Sequence, residues 1–141
     1  MTGEYLEKAK VLLNKTGSTC VLCSARVILT DNRRGIRPLL DLLDNNANVE
    51  GFDVADRVVG KAAAYLYCLL RIRSLYARVI SIPALNVLEN AGITMEYDQL
   101  VQAIHNRDCR GPCPMESAVW NIRDSREALS VIRHTLVQIN K

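Results

Sequence analysis

The stretch LYARVISIPALNVLENAGITMEY, Leu75 to Tyr97, constrains the fold more than any other part of the chain. Its first six residues, Leu75 to Ile80, are apolar and partly β-branched except for Arg78, without a regular polar alternation, as expected of a strand buried on both faces. Pro83 then suits the first turn of a helix, and the helix expected through Ala91 stops at Gly92. ITMEY follows as a second strand. A strand, a helix and a strand in that order belong to a sheet carrying helices on its faces.

The remaining chain extends this pattern. Thr2 can cap a helix through Asn14, in which Leu6, Ala9 and Leu13 share a face and Gly17 supplies a left-handed stop. TCVLC and RVILT, separated by SA, read as a hairpin. Pro38 opens a helix bearing Leu39, Leu40, Leu42 and Leu43. Gly51 and Asp53 introduce a longer helix ending near Arg71, and Asp124 with Glu127 stands in capping-box register before a helix carrying Ala128, Leu129, Ile132, Leu136 and Ile139. LVQAI, Leu100 to Ile104, reads equally as a strand or a short helix. The expected architecture is one domain spanning residues 1–141: an α/β protein, a three-layer α/β/α sandwich around a mixed sheet of about five strands.

Composition narrows the function classes. Apolar residues make up 49% and charged residues 23%, an ordinary globular balance, and the net charge of +3 is too mild to point to nucleic acid. Glu4 and Glu7 fall where a signal peptide needs an apolar run, and the longest apolar run, Ala62 to Leu70, is too short to span a bilayer. A cytoplasmic protein is expected, with no nucleic-acid or membrane partner. Five cysteines, an odd number, argue against a disulfide framework.

Two cysteine pairs invite a zinc interpretation. Cys20 and Cys23 lie an odd number of positions apart on an expected strand, so their sulfurs point to opposite faces and both read as small buried residues. Cys109 and Cys113 flank a proline and lack two further ligands unless His105 or a carboxylate joins them. No metal and no cofactor are expected.

Three groups of residues carry candidate chemistry. In GPCPME, Pro114 suits a first helical position, so Cys113 would cap a short helix through Val119 with Glu116 at its third position. The helix dipole and the neighbouring Arg107 and Arg110 favour a thiolate at Cys113, while Glu116 opposes it; the plain alternative is a rigid turn around a packed cysteine. In GKAAAYLYCLL, Gly60 is costly within or at the head of a helix unless another backbone or a ligand approaches it closely. Lys61, next to it, either meets the apolar run with a lowered pKa, as a base or anion clamp, or snorkels into water. In DNRRGIRPLL, Arg33, Arg34 and Arg37 before a helix start make either an anion cradle or a solvated loop.

RRGIRPLL, VVGKAAA, VISIPALNVLENAGI and NRDCRGPCPME together resemble an uncharacterised bacterial and archaeal family with a cytidine-deaminase-like fold. The likeness covers nearly the whole chain, and its last motif is the most specific. It implies a deaminase-type α/β/α sandwich without supplying a reaction. Zinc deaminases carry His (or Cys) and Glu at the head of one helix and P-C-x-x-C at the head of the next. Here those positions read GKAA, Gly60 to Ala63, and PALNV, with Ala84 and Val87 where the cysteines would be; no histidine precedes His105. Zinc-dependent deamination is therefore excluded by the residues themselves.

The resemblance implies that a pocket persists at those helix N-termini, with Lys61 where a metal site would begin and Asn106, Arg107, Asp108, Cys113 and Glu116 folded over it. The expected protein is zinc-free and binds a small anionic or nucleotide-like ligand. Gly60, Lys61, Asn106, Arg107 and Arg37 are the ligand-binding candidates. The catalytic candidates are Cys113 as nucleophile, Lys61, and Glu116 or Asp108 as proton carrier. The alternatives are a non-catalytic sensor using the same pocket, and a structural protein whose Leu39–Leu43 helix packs in a homo-oligomer.

Overall fold

The computed structural model describes residues 3–33, 35–104 and 114–139. It places a mixed sheet in the order β2-β1-β3-β4-β5, formed by Cys20–Cys23 (β1), Ile28–Asp31 (β2), Asp53–Val59 (β3), Ser74–Ser81 (β4) and Thr94–Val101 (β5). β1 pairs antiparallel with both β2 and β3, whereas β3, β4 and β5 run parallel. Around the sheet lie α1 (Glu4–Lys15), α2 (Arg37–Asp44), α3 (Lys61–Leu70), α4 (Ile82–Asn90), α5 (Pro114–Ala118) and α6 (Ser125–Ile139).

Two clusters show how the layers stack. Leu6, Ala9 and Leu13 of α1 bury themselves against Val21, Cys23, Ala55 and Tyr76 on one face of the sheet. Cys20, Leu22, Val54, Leu75 and Ala77 point to the opposite face, where α2, α3, α4 and α6 build the larger core. Cys20 and Cys23 thus lie on opposite faces, as their spacing requires. α3 has the sheet on one side and neighbouring helices on the other, which explains why it is apolar nearly all round.

The hairpin, the buried β4 and the α4 to β5 passage match the reading from sequence. Gly92 at φ +77 supplies the left-handed turn after α4. Asp124 caps α6, its carboxylate accepting the Glu127 N–H at 2.9 Å. Four expectations are corrected. The long helix from Gly51 to Arg71 is instead β3 followed by α3. LVQAI is not a separate element, since β5 runs on through Leu100 and Val101. α1 ends on an extended Thr16, not on a left-handed Gly17, and is capped at its start by Gly3, Thr2 lying outside the described residues. Pro38 is the second residue of α2, after Arg37.

β3 keeps its two acids because distant groups satisfy them. Asp53, 1% exposed, accepts from Arg73 Nε at 3.0 Å and Ser74 Oγ at 2.6 Å at the adjoining start of β4. Asp56 accepts from the Tyr67 hydroxyl at 2.6 Å, and that hydroxyl also meets Cys20 Sγ at 3.2 Å. At the outer edge, β5 carries Glu96, held by Lys10, and Asp98, held by Tyr76 Oη at 2.5 Å. Among the described residues β5 pairs only with β4.

Burial lifts the Asp56 carboxyl to about 6, with the Tyr67 hydroxyl and nearby backbone N–H groups pulling the other way. Its folded pKa therefore lies above its unfolded value, so the folded chain holds the extra proton and stability declines as pH rises through the interval between the two. Asp56→Asn keeps an acceptor for Tyr67 without the charge. Thermal unfolding should show wild type losing stability relative to this variant between about pH 4 and pH 7; parallel pH profiles for the two proteins would contradict the assignment.

Candidate functional site

α3 and α4 each follow a strand of the parallel pair β3 and β4, so both helices start at the same end of the sheet. Their heads are the stretches Gly60–Ala63 and Ile82–Leu85. The Glu116 carboxylate lies between them. Its Oε1 accepts the Lys61 backbone N–H at 3.1 Å, at the head of α3. The same oxygen accepts the Ser81 hydroxyl at 2.9 Å, and Ser81 Oγ in turn accepts the Ala84 N–H at 3.3 Å as the cap of α4. One carboxylate on α5 thus serves two helix starts, both of which favour negative charge.

Glu116 is 2% exposed, and among the described residues its Oε2 has no hydrogen-bond partner. Burial raises its pKa from the ordinary carboxylate value; the hydrogen bonds from Ser81 and the Lys61 backbone oppose that shift. Gly60 is explained here. A Cβ at this position would sit 2.2 Å from Glu116 Oε2 and 3.3 Å from a side-chain carbon of Ile104. The close approach that the sequence demanded comes from a carboxylate of the same chain.

Lys61 heads α3 and turns outward. Its ammonium donates to the Trp120 carbonyl at 2.6 Å and stands 5.7 Å from the centre of the Tyr65 ring. Tyr65 Oη in turn donates to the Ile122 carbonyl at 2.5 Å, so two α3 side chains fasten the connection between α5 and α6. Burial lowers the Lys61 pKa, and the Arg123 charge lowers it further while Glu116 acts in the opposite sense. This lysine neither simply snorkels nor points into the space between the helix heads, which Glu116 fills.

The open space lies alongside. A groove of about 630 Å³ runs between α3 and α4, with Lys61, Tyr65 and Cys68 on one wall and Trp120 and Arg123 at one end. Burial pushes the Cys68 thiol up to about 11, which leaves it in the poorly nucleophilic thiol form.

Of the residues singled out from sequence, Gly60, Lys61 and Glu116 come together. α5 begins at Pro114 as expected, but Cys113, with Asn106, Arg107, Asp108, Cys109 and Arg110, lies outside the described residues. Arg33 is taken up by Asp31 and Asp41, at 2.7 and 2.6 Å, in place of an anion cradle. Arg37 is exposed at the start of α2 and does not line the groove, and Arg34 lies outside the described residues. Cys20 faces Tyr67 inside the core. Among the described residues no three His, Cys, Asp or Glu side chains gather as a metal-ligand set. Trp120, Arg123 and Ser81 were not anticipated. Ser81 had a local signal, a hydroxyl residue before a helix-opening Ile-Pro; Trp120 and Arg123 had none, since tertiary packing alone brings them to α3.

Gly60→Ala should destabilise the fold by about 1–3 kcal/mol through overpacking. In a Glu116→Ala background the added methyl should cost much less, which urea unfolding of the two single variants and the double variant would measure as a coupling. Purely additive losses would show that residues 60 and 116 do not press on each other.

Among functionally curated proteins, none matches this chain. A solved structure does: the crystal structure of a DUF1893 family protein, TM1506, from Thermotoga maritima. The two are 29% identical, with a TM-score of 0.86 over 98% of this chain and 92% of the other. No helix among the described residues is long and apolar enough to cross a membrane. The profile described as TM1506, domain of unknown function (DUF1893), matches residues 8–136, and the chain belongs to that family.

Proposed function

We propose that this protein is a zinc-free scaffold of the deaminase type that binds a small anionic ligand in the groove between α3 and α4. Support for the scaffold comes from its hairpin and two parallel strand–helix units, whose helix heads carry Gly60–Ala63 and Pro83–Val87 in place of zinc ligands. The observation that carries the binding reading is the placement of Lys61. Its ammonium is held at the groove by a carbonyl and an aromatic ring, beside Arg123, and among the described residues it makes no salt bridge. A cation fixed by neutral partners keeps its charge available to an incoming anion. The volume falls in the range of small-molecule sites.

Glu116 takes a positioning role in this reading. It holds α5 on the heads of α3 and α4, and so sets where the Trp120 carbonyl meets Lys61. Catalysis through Cys113, with Glu116 or Asp108 carrying a proton, would add a covalent step to the same site. A non-catalytic sensor needs only the groove.

Titration with ribose 5-phosphate tests the reading. Lys61→Ala should weaken binding about tenfold or more, the scale of a lost charge-assisted hydrogen bond. Because the ammonium is the binding form and burial lowers its pKa, wild-type affinity should already decline at pH values below the ordinary lysine range of about 10.4. Unchanged affinity in Lys61→Ala would remove this lysine from the site.

A further inference from the structure

We infer that the end of this groove marked by Lys61 takes a carboxylate whose flat apolar body begins at its charged carbon, as in an aromatic carboxylic acid. The inference rests on the anion-binding reading above and names the chemical class of the anion. Lys61 is the first residue of α3 and Ile82 the first of α4. Each helix follows one strand of the adjoining parallel pair β3 and β4, so both residues stand at the same end of the groove. Trp120 is tied to that end, because its carbonyl accepts the Lys61 ammonium at 2.6 Å. All three line the groove, and so does Arg123. Ile82 is 42% exposed and Trp120 44%, and neither belongs to the two buried clusters. Two large apolar side chains are therefore left open to solvent beside a cation.

What surrounds the charge separates the classes of anion. A phosphate carries oxygens on every side, and setting it against indole and isoleucine would strip water from them without replacing the lost hydrogen bonds. A carboxylate is polar on one side only. With its oxygens on the Lys61 ammonium, a conjugated ring continues in the carboxylate plane away from the charge, over the surface that Ile82 and Trp120 leave open. A flat ring gains from stacking on indole as well as from leaving water. Small-molecule sites combine apolar lining with a few polar groups that fix orientation; here Lys61 orients, and Trp120 and Ile82 cover.

Trp120 is the only tryptophan in the chain, so its fluorescence reads this site directly. Titrations of the full chain with benzoate, acetate, benzyl alcohol and ribose 5-phosphate, followed by that emission and by calorimetry, test the inference. Benzoate should shift the emission to shorter wavelength and bind about tenfold more tightly than any of the other three. Trp120→Ala keeps the carbonyl that holds Lys61 but removes the ring, and should bring benzoate to within about threefold of acetate. Trp120→Phe should retain most of the preference. Equal affinity of wild type for benzoate and acetate, or a preference for benzoate that survives Trp120→Ala, would overturn the apolar half of the site and leave anion binding standing. Loss of the preference in Trp120→Phe as well would overturn the stacking role. Benzyl alcohol binding as tightly as benzoate, or benzoate affinity unchanged in Lys61→Ala, would overturn the anion-binding reading and this inference with it. Binding of ribose 5-phosphate alone would overturn the inference and uphold that reading, and no binding of any probe at millimolar concentration would overturn both.

Discussion

One buried carboxylate fixes the geometry at the end of the sheet where α3 and α4 begin. Removing Glu116 from water is costly, and its second oxygen finds no partner among the described residues. What offsets that cost is the convergence of two helix starts, each offering N–H groups and the positive end of a dipole. Ser81 passes the effect on, capping α4 while donating to the same oxygen that accepts from the head of α3. The absence of a side chain at Gly60 makes room for this arrangement. α5, the Trp120 carbonyl and the outward lysine all take their positions from it.

Much of the layering was legible because it follows local rules. Largely apolar runs gave buried strands, proline and glycine bracketed α4, and the helical spacing of Leu6, Ala9 and Leu13 gave α1 its buried face. β3 was misread for a physical reason. DVADRVV carries three charged residues and leads directly into a strongly helical segment, so no clean alternation separates strand from helix. Its acids are tolerated because Arg73, Ser74 and Tyr67 satisfy them, partners 11 to 21 positions away that no local pattern announces. Gly60, read as an oddity within or at the head of a helix, stands at the head and marks the boundary.

The site was half legible. Gly60 carried a demand for close approach, which Glu116 meets, and Lys61 left two readings open, but neither names its partner. Glu116 reaches across 35 residues to Ser81 and 55 to Lys61. The space between the helix heads was expected to remain a pocket; a carboxylate occupies it, and the opening lies on the outer side of the same helices. The arginine cluster stayed ambiguous because charge density in sequence does not distinguish a free cation from a neutralised one. Arg33 is closed off by Asp31 and Asp41, whereas Lys61 meets a carbonyl and a ring.

The β5 margin, which among the described residues pairs only with β4, has a consequence for assembly. When two identical parallel-sheet edges meet antiparallel about a twofold axis, the axis must pass beside one residue and its symmetry mate, because only alternate backbone groups face outward. Centred on Tyr97, such a seam sets Glu96 against Asp98 of the other copy; centred on Asp98, it sets that acid against itself. Like charges facing across a seam repel, and this is a common guard against strand-to-strand aggregation. The acids along β5, Asp98 above all since Lys10 offsets Glu96, therefore weigh against strand-to-strand pairing of two copies in these two registers.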